Sequence, residues 1–298
     1  MSSILLERKK KITEMPIDGV YVIYGASGTG KTTLAMTFPK PLLYIDILEG
    51  GSASADIKDS ENSDLVEVYQ FEELDNILTD VERGYALIGD KKYKTQYSTI
   101  VIDSVTQMEF IMKNYLMEIN NKSSMNINIW GQAKDNHDIV YNAAKYLHKK
   151  TGANVVLIAH EKELKNDDNP SFSKIIPSIM TSSAQSLCAK ASYVWYTKIE
   201  NEYSSDKEGR VSEKPVFYTV MDTHPYLLTK TRKPKGMAIP QKVKDLTYSK
   251  FKKGILDKIE EVRKNARRKK EDNTKTDSGT DSQVDGSTSS DSPKEHNQ

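Results

Sequence analysis

Val20-Tyr21-Val22-Ile23-Tyr24-Gly25-Ala26-Ser27-Gly28-Thr29-Gly30-Lys31-Thr32-Thr33-Leu34 decides the fold of this 298-residue chain. A run of β-branched and aromatic residues enters a loop, Gly25 to Thr32, that satisfies G-x-x-x-x-G-K-[ST] in full, and a helical stretch Thr32–Thr37 follows until Phe38-Pro39 ends it. Glycines let such a loop reach positive φ and turn its backbone N–H groups toward phosphate oxygens. The start of the helix adds a favourable dipole. Lysine at position 31 reaches the β and γ phosphates, and the hydroxyl at position 32 ligates Mg²⁺. The pattern therefore points to ATP and Mg²⁺, held by Gly25, Ala26, Ser27, Gly28, Thr29, Gly30, Lys31, Thr32 and Thr33. Thr33 stands where a dinucleotide fingerprint needs its last glycine, so that fold is disfavoured.

Working outward, Val20–Tyr24, Leu42–Asp46, Thr99–Asp103 and Val155–Ala159 are short continuous apolar runs. Runs of that kind suit strands covered on both faces, hence a mostly parallel sheet. Helical patterns over Phe71–Arg83, Ser104–Ile119 and Trp130–Lys149 separate them. The fold class is α/β: a central, mostly parallel sheet flanked by helices, with antiparallel strands added towards the C-terminus at Tyr193–Ile199, Pro215–Met221 and Tyr226–Thr229, and with Asn201–Gly209 as a turn-rich polar loop. An apolar strand ending in a carboxylate brings it to the carboxyl edge of the sheet beside the phosphate loop. Asp103 sits there, 72 residues after Lys31, as the second metal-holding residue with Thr32. Asp46 and Glu49, ahead of Gly50-Gly51, are both candidates to orient the attacking water, the Gly-Gly turn favouring Glu49, with a solvated loop acid as the plain alternative. His160, after Val155–Ala159, is placed to sense the γ-phosphate, or is a satisfied loop histidine.

Charge is nearly balanced, 43 Lys and Arg against 42 Asp and Glu, so no global field draws in nucleic acid. The balance hides an asymmetry. Glu271–Gln298 holds seven acids and two bases, net −5, which leaves +6 on residues 1–270. Such a tail has too little apolar surface to offset its ordering entropy and reads as disordered. Before it, Arg263, Lys264, Arg267, Arg268, Lys269 and Lys270 form a basic stretch, either the solvated end of a helix begun near Leu246 or a nucleic-acid contact that the tail shields. The expected organisation is an N-terminal segment 1–14, one domain over 15–245, a basic helix over 246–270 and the tail 271–298. A single cysteine, Cys188, excludes an internal disulfide framework and fits the cytoplasm. No apolar run approaches the roughly 20 residues of a membrane helix.

Ile100-Val101-Ile102-Asp103-Ser104-Val105 resembles the metal-binding strand of the RecA family, down to the serine after the aspartate. Tyr44-Ile45-Asp46…Glu49 is similar to the strand that carries that family's catalytic glutamate, with one extra residue of spacing, and His160 falls where the family places a polar γ-phosphate sensor. Lys230-Thr231-Arg232 resembles the K-x-R finger whose cations reach the γ-phosphate of the neighbouring subunit, although a basic edge strand that resists aggregation is the plain alternative. Within the family the likeness is to phage RecA-like proteins of the Sak-four type, over about residues 15–245. It implies a RecA-like core and an ATPase that binds and hydrolyses ATP, acts on single-stranded DNA in recombination and annealing in a host cytoplasm, and forms a homo-oligomer in which Lys230 and Arg232 act in trans, with a single-strand-binding or replication protein as a further partner. The competing reading is a nucleotide-dependent loader of a replication protein. Lys91–Lys94 and Ile127–Trp130 are the loops to test for contact with DNA, with plain solvated surface as the alternative.

Overall fold

The strand ahead of the glycine loop shows how the core divides. In β1 (Val20–Gly25), Val20, Val22 and Tyr24 belong to one apolar cluster and Tyr21 and Ile23 to a second, all of them buried. A strand buried on both faces lies mid-sheet with cover on either side. The computed structural model describes residues 19–54, 57–165, 173–205 and 210–276. The segment 1–14 and the tail beyond Thr276 lie outside the described residues.

The elements after β1 are α1 (Lys31–Met36), β2 (Leu42–Asp46), β3 (Ser63–Glu67), α2 (Phe71–Arg83), β4 (Tyr85–Ile88), β5 (Lys91–Lys94), β6 (Thr99–Asp103), α3 (Val105–Ile119), α4 (Ile127–Thr151), β7 (Asn154–Ala159), β8 (Glu161–Leu164), β9 (Lys174–Pro177), α5 (Thr181–Lys190), β10 (Tyr193–Ser205), β11 (Val211–Val220), β12 (Lys230–Thr231), β13 (Lys242–Lys244), α6 (Tyr248–Phe251) and α7 (Asp257–Thr276). In space the main sheet runs β3-β2-β6-β7-β1-β10-β11-β13. The first six of these are parallel neighbours, and β11, β12 and β13 add antiparallel pairs. The expected α/β sheet with its late antiparallel strands is therefore observed.

Register fixes what meets at the carboxyl edge. Gly25 pairs with Thr197, Tyr24 with Ala159, Asp103 with Ile158 and Asp46 with Asp103. On one face, Leu74, Met108, Ile111, Met112, Tyr141, Ala144 and Leu187 from α2 to α5 cover the sheet. On the other, Leu34 and Phe38 from the glycine-loop side meet Phe251, Ile255 and Ile259 from the C-terminal helices over Tyr21, Tyr193 and Trp195. Fully burying side chains of this size stabilises by about 1.5–3 kcal/mol each. Caps set the helix starts: Ser104 Oγ accepts from Gln107 N, Asn126 Oδ1 from Asn128 N and Ile129 N, and Thr247 Oγ1 from Lys250 N. The helix expected near Leu246 starts at Tyr248, passes through a π-turn over Lys252–Leu256 and continues to Thr276.

Three expectations are corrected. Tyr226–Thr229 is not a strand. Leu227 makes one isolated bridge to Ile175, Thr229 Oγ1 donates to Asp222 O, and pairing with β10 starts at Lys230. Asn201–Ser205 is not a loop either; it is the outer half of β10, in register with β11 from Asn201–Pro215 to Ser205–Val211. Finally, α4 begins at Ile127 rather than Trp130, because Asn126 caps it. The outer β10–β11 arm has two unlike faces. Cross-strand pairs Ile199–Phe217, Asn201–Pro215 and Tyr203–Glu213 share one, and Lys198–Tyr218, Glu200–Val216 and Glu202–Lys214 share the other.

Candidate nucleotide site

The glycine loop joins β1 to α1, and Gly30 has φ 83°, a left-handed conformation that side chains with a Cβ rarely adopt. Thr29 Oγ1 accepts or donates at 2.8 Å to Thr197 Oγ1 of β10, which pins the loop to the next strand. Lys31, 8% exposed, donates from Nζ to the loop carbonyls of Ala26 at 2.8 Å and Gly25 at 3.2 Å. Burial lowers its pKa, and the charges of Asp103, Glu49 and Glu161 pull it back up. A cation in that setting is stabilised by anions close by.

Asp103 comes from the end of β6, two strands from β1. Its Oδ2 accepts from Thr32 Oγ1 at 2.7 Å and from Tyr44 OH at 2.6 Å. Burial raises the Asp103 pKa, and the hydrogen bonds from Tyr44 and Thr32 and the Lys31 charge work against that rise. Gly51 closes over the same atoms. A Cβ there would lie 2.8 Å from Tyr44 OH and 3.1 Å from both Asp103 Oδ2 and Thr32 Oγ1. A hydroxyl and a carboxylate side by side under a side-chain-free wall fit Mg²⁺, which takes hard oxygen donors and completes its shell with water and substrate phosphates. Among the described residues no group of three or more His, Cys, Asp or Glu side chains is placed to hold a metal ion by itself.

The two water-orienting candidates part company. Asp46 is buried and its Oδ1 accepts from Glu49 N at 2.9 Å and Gly50 N at 3.1 Å, so it ties down the turn after β2. Glu49, carried forward by that turn, accepts on Oε1 from Ser104 Oγ at 2.5 Å and meets His160 Nε2 at 2.8 Å. Burial raises the Glu49 pKa, but the His160 and Ser104 hydrogen bonds, with the His160 and Lys31 charges, lower it overall. His160 follows β7 and is itself fixed by its N–H, which donates to Thr106 Oγ1 at 3.0 Å.

Lys31, Thr32, Asp103, Glu49 and His160 thus meet at one sheet edge. Lys230 and Arg232 do not. They flank the pairing of Thr231 with Tyr193, at the start of β10, whereas Gly25 pairs with Thr197 four residues further on. Lys230 Nζ donates to Cys188 O at 2.5 Å and Ala189 O at 3.1 Å, and Arg232 Nη2 donates to Ala189 O at 3.3 Å. In their own chain both cations bond to carbonyls near the end of α5. Lys91–Lys94 is the exposed strand β5, not a loop, and Ile127–Trp130 is the first turn of α4. Sequence reasoning missed Tyr44, Thr197 and the approach of Gly51 to the metal-site atoms. Tyr44 was legible as the residue two before Asp46, on the same face; Thr197 carried no signal.

A family model described as an AAA domain (AAA_24) matches residues 18–232. No curated protein matches the chain. Among solved structures, the flagellar accessory protein FlaH from Methanocaldococcus jannaschii is similar, with 13% identity and a TM-score of 0.38 over 78% of this chain and 87% of that chain. No helix among the described residues is long and apolar enough to cross a membrane.

Proposed function

This chain belongs to the AAA-domain family and carries its phosphate-binding loop, and from that premise we propose that it binds Mg²⁺–ATP and hydrolyses the β–γ phosphoanhydride bond. The observation that carries the reading is the meeting of Lys31, the Thr32–Asp103 pair and the Glu49–His160 pair at one sheet edge. Lys31 lies against the terminal phosphates and offsets charge on the transferring oxygens. Thr32 and Asp103 would hold Mg²⁺, which when bound neutralises phosphate charge. Glu49, a carboxylate at neutral pH, takes a proton from water as the water oxygen attacks the γ phosphorus. The P–O bond to the β-phosphate breaks and ADP leaves with inorganic phosphate. Ser104 and His160 both bond to Oε1 of Glu49, which orients the carboxylate so that Oε2 receives the proton. Asp46 acts one step back, by shaping the turn that presents Glu49.

The client in this reading is single-stranded DNA, bound by an oligomer whose Lys230 and Arg232 act on a neighbour's nucleotide. Three things support it: the likeness to Sak-four-type phage proteins, the basic stretch from Arg263 to Lys270, and the distance of the K-x-R pair from its own chain's phosphate loop. Contacts to a DNA backbone would be salt-sensitive and largely sequence-independent.

The test is nucleotide hydrolysis with and without single-stranded DNA across a salt series. The expected result is ATP turnover that DNA raises at low salt. Arg232→Ala should bind nucleotide without hydrolysing it, and mixing it with Lys31→Ala protein should restore some turnover. Normal hydrolysis by Arg232→Ala sinks the trans assignment, and a labelled strand left unshifted at low salt, with and without ATP, removes DNA as the client.

A further inference from the structure

The cleavage machinery occupies one side of the phosphate loop, and a cavity occupies the other. Counting along the sheet, Glu49 follows β2, Asp103 ends β6, His160 follows β7, and the loop follows β1. Beyond β1 come β10 and β11. There a cavity of about 250 Å³ lies between the loop, α1, the β10–β11 pair and the turn at Asp245. Site cavities for drug-sized ligands start at about 300 Å³, so this one suits a single ring system rather than a whole nucleotide. The cavity borders the loop directly, since Thr29, Gly30 and Thr33, which line it, flank Lys31 and Thr32. A triphosphate laid across β1 with its terminal phosphate at Glu49 and Asp103 brings its nucleoside to this cavity.

The lining suits a base. Phe217, on the apolar face of the β10–β11 arm, is 43% exposed although its ring lies against the loop: a Cβ on Gly30 would sit 3.3 Å from Phe217 Cδ1. An aromatic ring open on one face beside a phosphate loop is a stacking platform. Thr33 and Thr37 line the cavity from one stripe of α1 and its end, four residues apart. Asp245 lines it opposite, in a left-handed turn with φ 44° whose N–H donates to Phe217 O at 2.8 Å. That hydrogen bond locks the carboxylate-bearing turn to the platform.

Building on the nucleotide reading above, we propose that this cavity is the base-binding half of the site, with Phe217 as the stacking platform and Asp245 as an acceptor for an exocyclic amine. A carboxylate only accepts hydrogen bonds when ionised, so it favours the amino edge of adenine and repels the 6-oxo edge of hypoxanthine. The arrangement makes the protein prefer ATP to ITP.

Calorimetry of the full chain with Mg²⁺–ATP, Mg²⁺–ITP and Mg²⁺–tripolyphosphate separates the parts. Tripolyphosphate has no base and reports on the loop alone. The expected result is that Phe217→Ala weakens ATP roughly tenfold or more and leaves tripolyphosphate unchanged, while Phe217→Tyr keeps ATP affinity. Asp245→Asn should narrow the ATP-to-ITP ratio, because an amide serves either edge. Unchanged ATP binding by Phe217→Ala overturns the proposal. So does equal loss of ATP and tripolyphosphate, which would mark damage to the loop. Wild-type protein that binds tripolyphosphate but gains nothing from the nucleoside overturns the base site and spares the phosphate reading; protein that binds neither overturns both.

Discussion

Two glutamate–histidine pairs in this chain have nearly the same geometry and opposite surroundings. Glu49 meets His160 at 2.8 Å at the sheet edge, and Glu109 meets His137 at 2.9 Å between α3 and α4. The first pair is open: the His160 side chain is 32% exposed and Glu49 lies among Lys31, Ser104 and the phosphate loop. The second is closed. His137 is fully buried, Tyr141 OH meets its Nδ1 at 2.9 Å, and Glu109 also takes Lys113 Nζ at 2.5 Å and Met180 N at 2.6 Å. Every named partner of Glu109 belongs to the helical layer and its link to α5, so that carboxylate joins elements together. The pair distance says nothing about role; what remains reachable from outside does. A buried, fully bonded carboxylate holds structure, and a half-open one beside a cation can accept a proton.

Substitutions can break or sharpen that contrast, and they are ordered here by their expected effect on turnover. Lys31→Ala removes the cation at the phosphates and should lower ATP turnover by at least about a thousandfold, read in a phosphate-release assay with thermal unfolding as the control for folding. Glu49→Gln keeps the size and the hydrogen bonds but loses the base. It should cost about a hundredfold or more in kcat and retain nucleotide binding; turnover within twofold of wild type would hand the role back to Asp46. Gly51→Ala forces a Cβ against Tyr44, Asp103 and Thr32. It should raise the Mg²⁺ concentration needed for half-maximal turnover by about tenfold, roughly the loss seen when a metal ligand's support is removed.

Glu109→Gln should leave turnover per folded molecule unchanged and act on stability instead. Burial raises the Glu109 pKa, but hydrogen bonds from His137, Lys113 and Met180 N outweigh it and bring the value down to about 2, against an ordinary 4.5. The folded value lies below the unfolded one, so the stabilisation is complete above about pH 4.5 and is lost as pH falls toward 2. A shift of that size corresponds to roughly 3 kcal/mol at neutral pH. Urea unfolding at pH 7 and pH 3 checks it. The wild type should lose more stability between those two values than Glu109→Gln does, and equal losses would place the acid sensitivity elsewhere.

What could be read from the sequence follows from how locally each feature is encoded. The phosphate loop is eight contiguous residues with a strand before and a helix after, and all of it lies where the motif requires. The strands carrying Asp103, Asp46 and His160 are buried on both faces, so their composition marks them without a partner in view. Strands with an exposed face carry no such mark. Ser63–Glu67 reads as polar because it is the sheet's edge, and Lys91–Lys94 because all four residues are exposed. The outer half of β10 reads as a loop for the same reason: Asn201, Glu202, Tyr203 and Ser204 gain their order from β11 and not from themselves. Between Asp46 and Glu49 the sequence leans to Glu49 through the Gly50-Gly51 turn but leaves Asp46 open, since both are acids close to that turn. The choice depends on which carboxylate the turn consumes, and that is a matter of three-dimensional path. The closed pair is harder still: His137 and Glu109 are 28 residues apart on different helices, with no motif to join them.

The division of the β10–β11 arm into an oily face and a charged face is written in nothing but odd and even positions. One residue inserted just after Thr197 would leave the inner weave, from Tyr193 to Thr197, untouched, yet would turn Ile199 and Tyr203 over to the side of the lysines and glutamates. Length changes in this stretch are therefore tolerable only in twos, and a lineage that alters it by one has to rewrite the ribbon beyond.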